Sequence, residues 1–346
     1  MSPRNRILMA VFVVLFASLL LQEQPWRGDA HARTFAATTR MFPELTQHQG
    51  IGRIRIQSAT QTTTIAQILD QGKPRWVVSE LWDHPADLAR VGSLIESLQA
   101  LETRDIESVN PEMQDAYEVS PETGVRVEVW NEDGDLLADV IAGSMRSQDV
   151  TAGQVAVFEF FVRPTAGNTV YRTGEFTIPF TSPADWCDTH FLSQVEAGQF
   201  HTLQRVDLNS NNSWKLIRQD NPVENGAPLD QAEAEEGATG RWRMVAPDSL
   251  LVPNFVGDSW IFTLNDLRAA NVIGLIEEAQ NQELLEPVTD IIRAGIGGET
   301  FEIQIGQLAS NNNRYARVVG LPHLYALQEF DVDQLLQSVE KMRRAD

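Results

Sequence analysis

Two short stretches hold residue types from which a reactive site could be built. "ADWCDTH" (184–190) places Cys187 and His190 three apart, with Asp185 and Asp188 beside them. On a helix that spacing puts a thiol and an imidazole on one face, as in a nucleophile and its base or half of a metal site. "DHPAD" (83–87) sets two acids and His84 around a proline. Each stretch also has a plainer reading. A nucleophile pair needs an orienting group and a metal needs further ligands, and the sequence designates neither, so Cys187 reads as a small buried residue. Asp83, Pro85 and Asp87 suit a helix start: a cap, a first-turn residue with no N–H to leave unpaired, and an anion at the positive helix end. No catalytic, cofactor-binding or metal-binding residue is assigned, and no cofactor.

The familiar motifs of catalysis do not supply one. His31, His48, His84, His190, His201 and His323 include no i,i+4 pair and no H-E-x-x-H. There is no G-x-x-x-x-G-K-[ST] phosphate loop and no G-x-S-x-G elbow, and "GIGG" (295–298) precedes a strand and reads as a turn. The eight tryptophans raise the question of sugar platforms, but Trp76, Trp130 and Trp214 sit in strand patterns that favour packing.

The elements that would position these residues alternate between strands and helices. Ile51, Ile54 and Ile56 mark a strand, then "TQTTTIAQ" and "RWVVSE" continue it as antiparallel neighbours. Leu88, Val91, Leu94, Ile95, Leu98 and Leu101 form a helical stripe. Val125, Val127 and Val129, "NEDG" and "LLADVIAG" make a hairpin, "VAVFEFFVRP" and "TVYRTG" a second, and 182–195 reads as a short capped helix. The second half retraces this order: strand, polar turn and strand over "LQRVDLNSNNSWKLIRQD", a helix over 263–280, a hairpin around "SNNN" and a closing helix over 329–342. The expected fold is α+β: two tandem repeats of antiparallel strands and hairpins with amphipathic helices, at 34–198 and 199–346. The second carries an acidic insertion loop at 221–240.

Composition bounds the setting. A 346-residue chain that is 42% apolar has cores for about two domains. A net charge of −21 repels phosphate backbones and anionic headgroups, so nucleic acid is excluded as an expected partner. Segment 1–33 has the parts of an export signal: Arg4 and Arg6, an apolar run at 7–21, and polar chain after it. Ala30-His31-Ala32 supports cleavage, whereas Trp26 supports a retained anchor at a membrane interface. Either way the remainder is extracytoplasmic. Cys187 is the single cysteine, so no internal disulfide forms.

Several stretches in sequence, "MFPELTQHQGIGRIRIQ", "RWVVSE", "HPADLARVGSLIESLQAL", "YEVSPETGVRVEVWNEDGDLL", "FVRP…NTVYRTG" and "PADWCDTHFL", resemble an exported bacterial family. That family is labelled a domain of unknown function and is often encoded beside gliding-motility-type ABC transporter genes. The resemblance runs over about residues 40–218 and more weakly beyond. It implies a bacterial inner-membrane protein with a single N-terminal span at 7–21 and its bulk in the periplasm. It also implies an auxiliary role with an ABC permease and ATPase as partners. The leading expectation is a non-enzymatic, membrane-anchored accessory or scaffold, marked by an apolar patch on one module. A polysaccharide- or ligand-binding module would instead show exposed aromatics in a groove, and a carboxylate-dependent hydrolase two acids facing across a pocket.

Overall fold

The computed structural model describes residues 39–147, 158–219 and 241–340, apart from 48–49, 175, 177, 193–194, 211 and 310. The anchor or signal segment (1–33) and the acidic insertion (221–240) lie outside the described residues. Among the described residues, no helix is long and apolar enough to cross a membrane.

The described residues are mostly β, which corrects the α+β expectation: among them eighteen strands form two antiparallel sheets of nine. The first sheet contains β1 (Ile51–Gln57), β2 (Thr62–Asp70), β3 (Lys73–Val78), β4 (His84–Pro85), β5 (Ile106–Ser108), β6 (Val125–Asn131), β7 (Leu136–Ser147), β8 (Phe158–Pro164) and β9 (Val170–Thr173), in the order β4-β3-β2-β1-β6-β7-β8-β9-β5. The second contains β10 (Phe200–Asp207), β11 (Trp214–Gln219), β12 (Arg241–Ala246), β13 (Leu250–Val252), β14 (Ala269–Leu275), β15 (Asp290–Ile296), β16 (Glu299–Leu308), β17 (Asn313–Val318) and β18 (His323–Gln328). Its order is β13-β12-β11-β10-β15-β16-β17-β18-β14. Adding nine to each index converts the first order into the second.

Among the described residues the helices are few: α1 (Pro43–Gln47), α2 (Leu88–Ala100), α3 (Asn254–Asp266), α4 (Ala279–Leu285) and α5 (Glu329–Leu335). In each sheet the longest helix joins opposite edges, α2 running from β4 to β5 and α3 from β13 to β14. α2 buries Val91, Leu94 and Leu98, the stripe legible in its spacing.

Two of the expected helices are absent. Residues 263–280 hold the end of α3, strand β14 and the start of α4. Bulges in the β14–β18 pairing leave Ala269 and Val272 buried three apart, so an irregular strand imitates helical periodicity. Of residues 182–195, the described ones form only a 3₁₀ turn at Pro183–Trp186, followed by isolated bridges at Cys187 and His190.

The described residues pack as two compact units: those up to 67 with those in 89–182, and those in 68–88 with those from 183 onward. In the first, the Ile54–Val129 and Ile56–Val127 cross-strand pairs are completely buried. In the second, Leu203–Leu216 and Ile292–Ile303 hold the same kind of position. Equivalent strands also carry equivalent glycines. Gly143 lies where the β7–β8 register shifts, and a Cβ there would collide with the Tyr117 carbonyl. Gly306 lies at the matching shift between β16 and β17, where a Cβ would collide with the Leu285 carbonyl. Both strands admit a backbone approach that any side chain would block.

Candidate functional site

Only the last residue of the "DHPAD" stretch, Asp87, has the place expected of it at a helix start; Asp83 and Pro85 do not cap or open the helix. α2 starts only at Leu88, with Asp87 just before it; Pro85 instead pairs with Val77, and His84 with Val78, in the β3–β4 ladder. On its other side the segment is fixed by Asp87 N–H donating to the Trp186 carbonyl (2.8 Å) and Asp188 N–H donating to the Pro85 carbonyl (2.9 Å). His84 is thereby driven inward and is 3% exposed.

There it meets three side chains that sequence reasoning did not connect to it. His323, equally buried, lies 4.9 Å away between ring centroids. Tyr325 presents its ring edge to His84 at 5.8 Å and packs at right angles to Phe191 at 4.9 Å. The Cys187 thiol is buried beside them, donating to the Pro183 carbonyl at 3.7 Å. Each histidine donates to a main-chain carbonyl, His84 Nδ1 to Pro85 (3.1 Å) and His323 Nε2 to Trp82 (3.1 Å). The second bond grips a strained turn. Trp82 and Asp83 have φ of 55° and 56°, a conformation that costs a non-glycine residue about 1–3 kcal/mol each.

Burial sets the protonation of the cluster. It draws the His84 pKa down to about 4, against the bond to Pro85 and with help from nearby His323. It lowers His323 as well, against the bond to Trp82. It raises the Tyr325 hydroxyl, with Cys187 adding to the effect, and pushes the Cys187 thiol up to about 12 beside Asp188. At neutral pH the cluster is two neutral imidazoles, a phenol and a thiol. A thiol held protonated is a poor nucleophile, and the imidazole protons are already committed to carbonyls. Cys187 and His190 do not meet as a pair: His190 is exposed, with Nδ1 3.1 Å from Asp188 Oδ1. Among the described residues, no three His, Cys, Asp or Glu side chains gather as a metal site would require. The arrangement is a neutral, packed pin between two strand ends.

Two surfaces remain. In the first unit, a cleft of about 190 Å³ is lined by Glu102, Arg104, Asp105, Glu159 and Arg172 among others. It is smaller than the roughly 300 Å³ at which small-molecule sites begin. Its carboxylates face arginines: Asp105 and Glu102 lie 3.3 and 3.6 Å from Arg104, and Glu159 lies 3.3 Å from Arg172. Most of the described tryptophans offer little as open platforms, although Trp82 is 38% exposed at its strained turn. Trp186, Trp214, Trp242 and Trp260 are buried, and Arg53 covers the Trp130 ring at 4.1 Å.

In the second unit, α3 carries Phe255 and Phe262 with 61% and 71% exposure, and α5 carries Phe330 with 70%. Phe255 and Phe262 are seven residues apart, two turns along one face. The opposite face buries Val256, Trp260, Ile261 and Leu264. α5 packs on α3, and its terminal carbonyls have committed donors: Trp260 Nε1 to Leu335 (3.0 Å), Arg205 Nη1 to Leu336 (2.6 Å) and Trp214 Nε1 to Gln337 (3.0 Å). The phenylalanines thus stand on a rigid base.

Residues 76–241 match the family described as a domain of unknown function, DUF4340. No curated protein and no solved structure matches the chain. The DUF4340 segment includes Trp82, His84 and Cys187, whereas His323, Tyr325 and the three exposed phenylalanines fall beyond it. The sequence signal for those phenylalanines was available: Phe255 and Phe262 interrupt polar positions of an amphipathic pattern. It was obscured because the helix was expected nine residues too late, at 263 instead of 254.

Proposed function

We propose that this protein is a membrane-tethered, extracytoplasmic accessory of an ABC-type transport system, acting through protein contact rather than catalysis. The observation that supports this reading is the trio of exposed phenylalanines on the α3–α5 base, an apolar face raised from an otherwise acidic surface. Aromatic side chains projecting from a well-packed support are typical anchors of protein interfaces. The apolar run at 7–21 would hold both units near a permease, raising their effective concentration there without any added affinity. The resemblance to a family encoded beside transporter genes supplies the choice of partner.

The test is a crosslinked pull-down of the full-length chain, C-terminally tagged at its own locus, beside a Phe255→Ser/Phe262→Ser variant. The expected result is recovery of a permease and its ATPase with the parent and their loss with the variant. No integral membrane protein in the parent sample, or equal recovery in both, rejects the proposal.

A further inference from the structure

Resting on that docking reading, we infer that the α3–α5 face receives a cationic, apolar-faced helical segment of the partner protein. The outward stripe of α3 reads Phe255, Asp258, Phe262, Asp266, so acid and aromatic alternate along about 10 Å between the two phenylalanines. The stripe continues onto α5. α5 packs on α3, and the Asp331 carboxyl in the first turn of α5 is raised above its ordinary range by burial and by the nearby Asp266. Phe262 lies one turn before Asp266 and Phe330 adjoins Asp331, so the aromatics flank an acid pair.

Among the described residues, the charges on this face do not cancel. The described bases beside it are Arg268 and Arg314, already engaged with Asp266 (3.2 Å) and Glu329 (3.6 Å). Among the described residues, no basic side chain is ion-paired with Asp258, Asp331 or Asp333. Such a face repels anionic lipid headgroups despite its phenylalanines, and attracts lysines and arginines. A helix carrying apolar residues at i, i+3/i+4 and i+7 with basic flanks satisfies both features, its apolar stripe on the rings and its cations over the aspartates.

The test uses the full-length chain in nanodiscs of phosphatidylcholine, with empty nanodiscs as the control. Three labelled helical peptides share one leucine stripe and carry lysine, glutamate or glutamine on the polar face. Binding is followed by fluorescence anisotropy at low and high salt. The lysine peptide is expected to bind at least tenfold more tightly than the glutamate peptide and to weaken with salt. Phe262→Ser/Phe330→Ser and, separately, Asp258→Lys/Asp333→Lys should each weaken it at least tenfold. Binding that ignores peptide charge, or that neither variant changes, overturns the inference. So does a concentration-dependent dimer abolished by Phe262→Ser, which would make the occupant a second copy. A pull-down that succeeds while the peptides fail retains the docking reading and rejects only the partner chemistry. Failure of the pull-down rejects the docking reading itself.

Discussion

Acidification should destabilise the second unit through His84 before most of its carboxylates are protonated. The ring is 3% exposed and its pKa is about 4, against 6.5 for a free histidine. A lowered folded-state value means that the unfolded chain takes up the proton first. The stability linked to neutral His84 is complete above pH 6.5, declines as pH falls from there, and is fully lost below about 4. At 1.36 kcal/mol per pKa unit this amounts to about 3 kcal/mol across that window. His323, lowered by the same cause, adds a loss of the same sign. Tryptophan emission is a suitable probe, because Trp76, Trp82, Trp186, Trp214, Trp242 and Trp260 all belong to the second unit. Urea unfolding of the full-length protein in non-ionic detergent would be compared at pH 7 and pH 4.5 with that of His84→Asn. The asparagine amide keeps a donor for the Pro85 carbonyl but does not titrate. The parent should lose about 1 M or more in midpoint relative to the variant's own loss, given a slope of about 1–3 kcal/mol per M. Equal losses in parent and variant would refute the argument, because the burial assigned to His84 would then have no energetic consequence.

Other consequences are equally direct. Arg205 is buried between Asp290 (2.8 Å) and Asp207 (3.1 Å) and caps α5, so Arg205→Met should cost about 3–5 kcal/mol in urea unfolding, chiefly by stranding Asp290. Gly143→Ala and Gly306→Ala should each cost about 3 kcal/mol, since the obstacle is a backbone carbonyl that cannot rotate away. Gly92→Ala, in α2 with open space at its Cβ, should instead stabilise by about 0.5–1 kcal/mol; a matching loss there would contradict the packing. Burial also raises the Cys187 thiol to about 12, so stability linked to it is full below pH 9 and falls as pH rises towards 12. A thiol-reactive dye at pH 8 should therefore label Cys187 only on unfolding, and prompt labelling of the folded chain would disprove its burial.

Much of the β-structure was legible because its signals are local. Ile54 and Ile56 alternate, "NEDG" closes the β6–β7 hairpin, and Asn311 and Asn312 take the left-handed turn before β17. The helical stripe of α2 was legible for the same reason. The helix expected over 263–280 failed because the bulges of β14 restore a three-residue spacing that belongs to no helix. The mistaken start signal at Asp83–Pro85 failed because pairing with Val77 and Val78 outweighs a local capping preference. His84 and His323 are 239 positions apart, and only long-range strand pairing brings them together. No spacing rule reaches that far.

The central claim is that the phenylalanine face on α3 and α5 touches a transporter subunit. The most direct measurement places a photocrosslinking amino acid at position 262 of the full-length chain in cells, with position 208, also exposed in the second unit, as the control. A permease or ATPase adduct from 262 but not from 208 is the predicted result. No adduct from 262, or the same adducts from both positions, would contradict it.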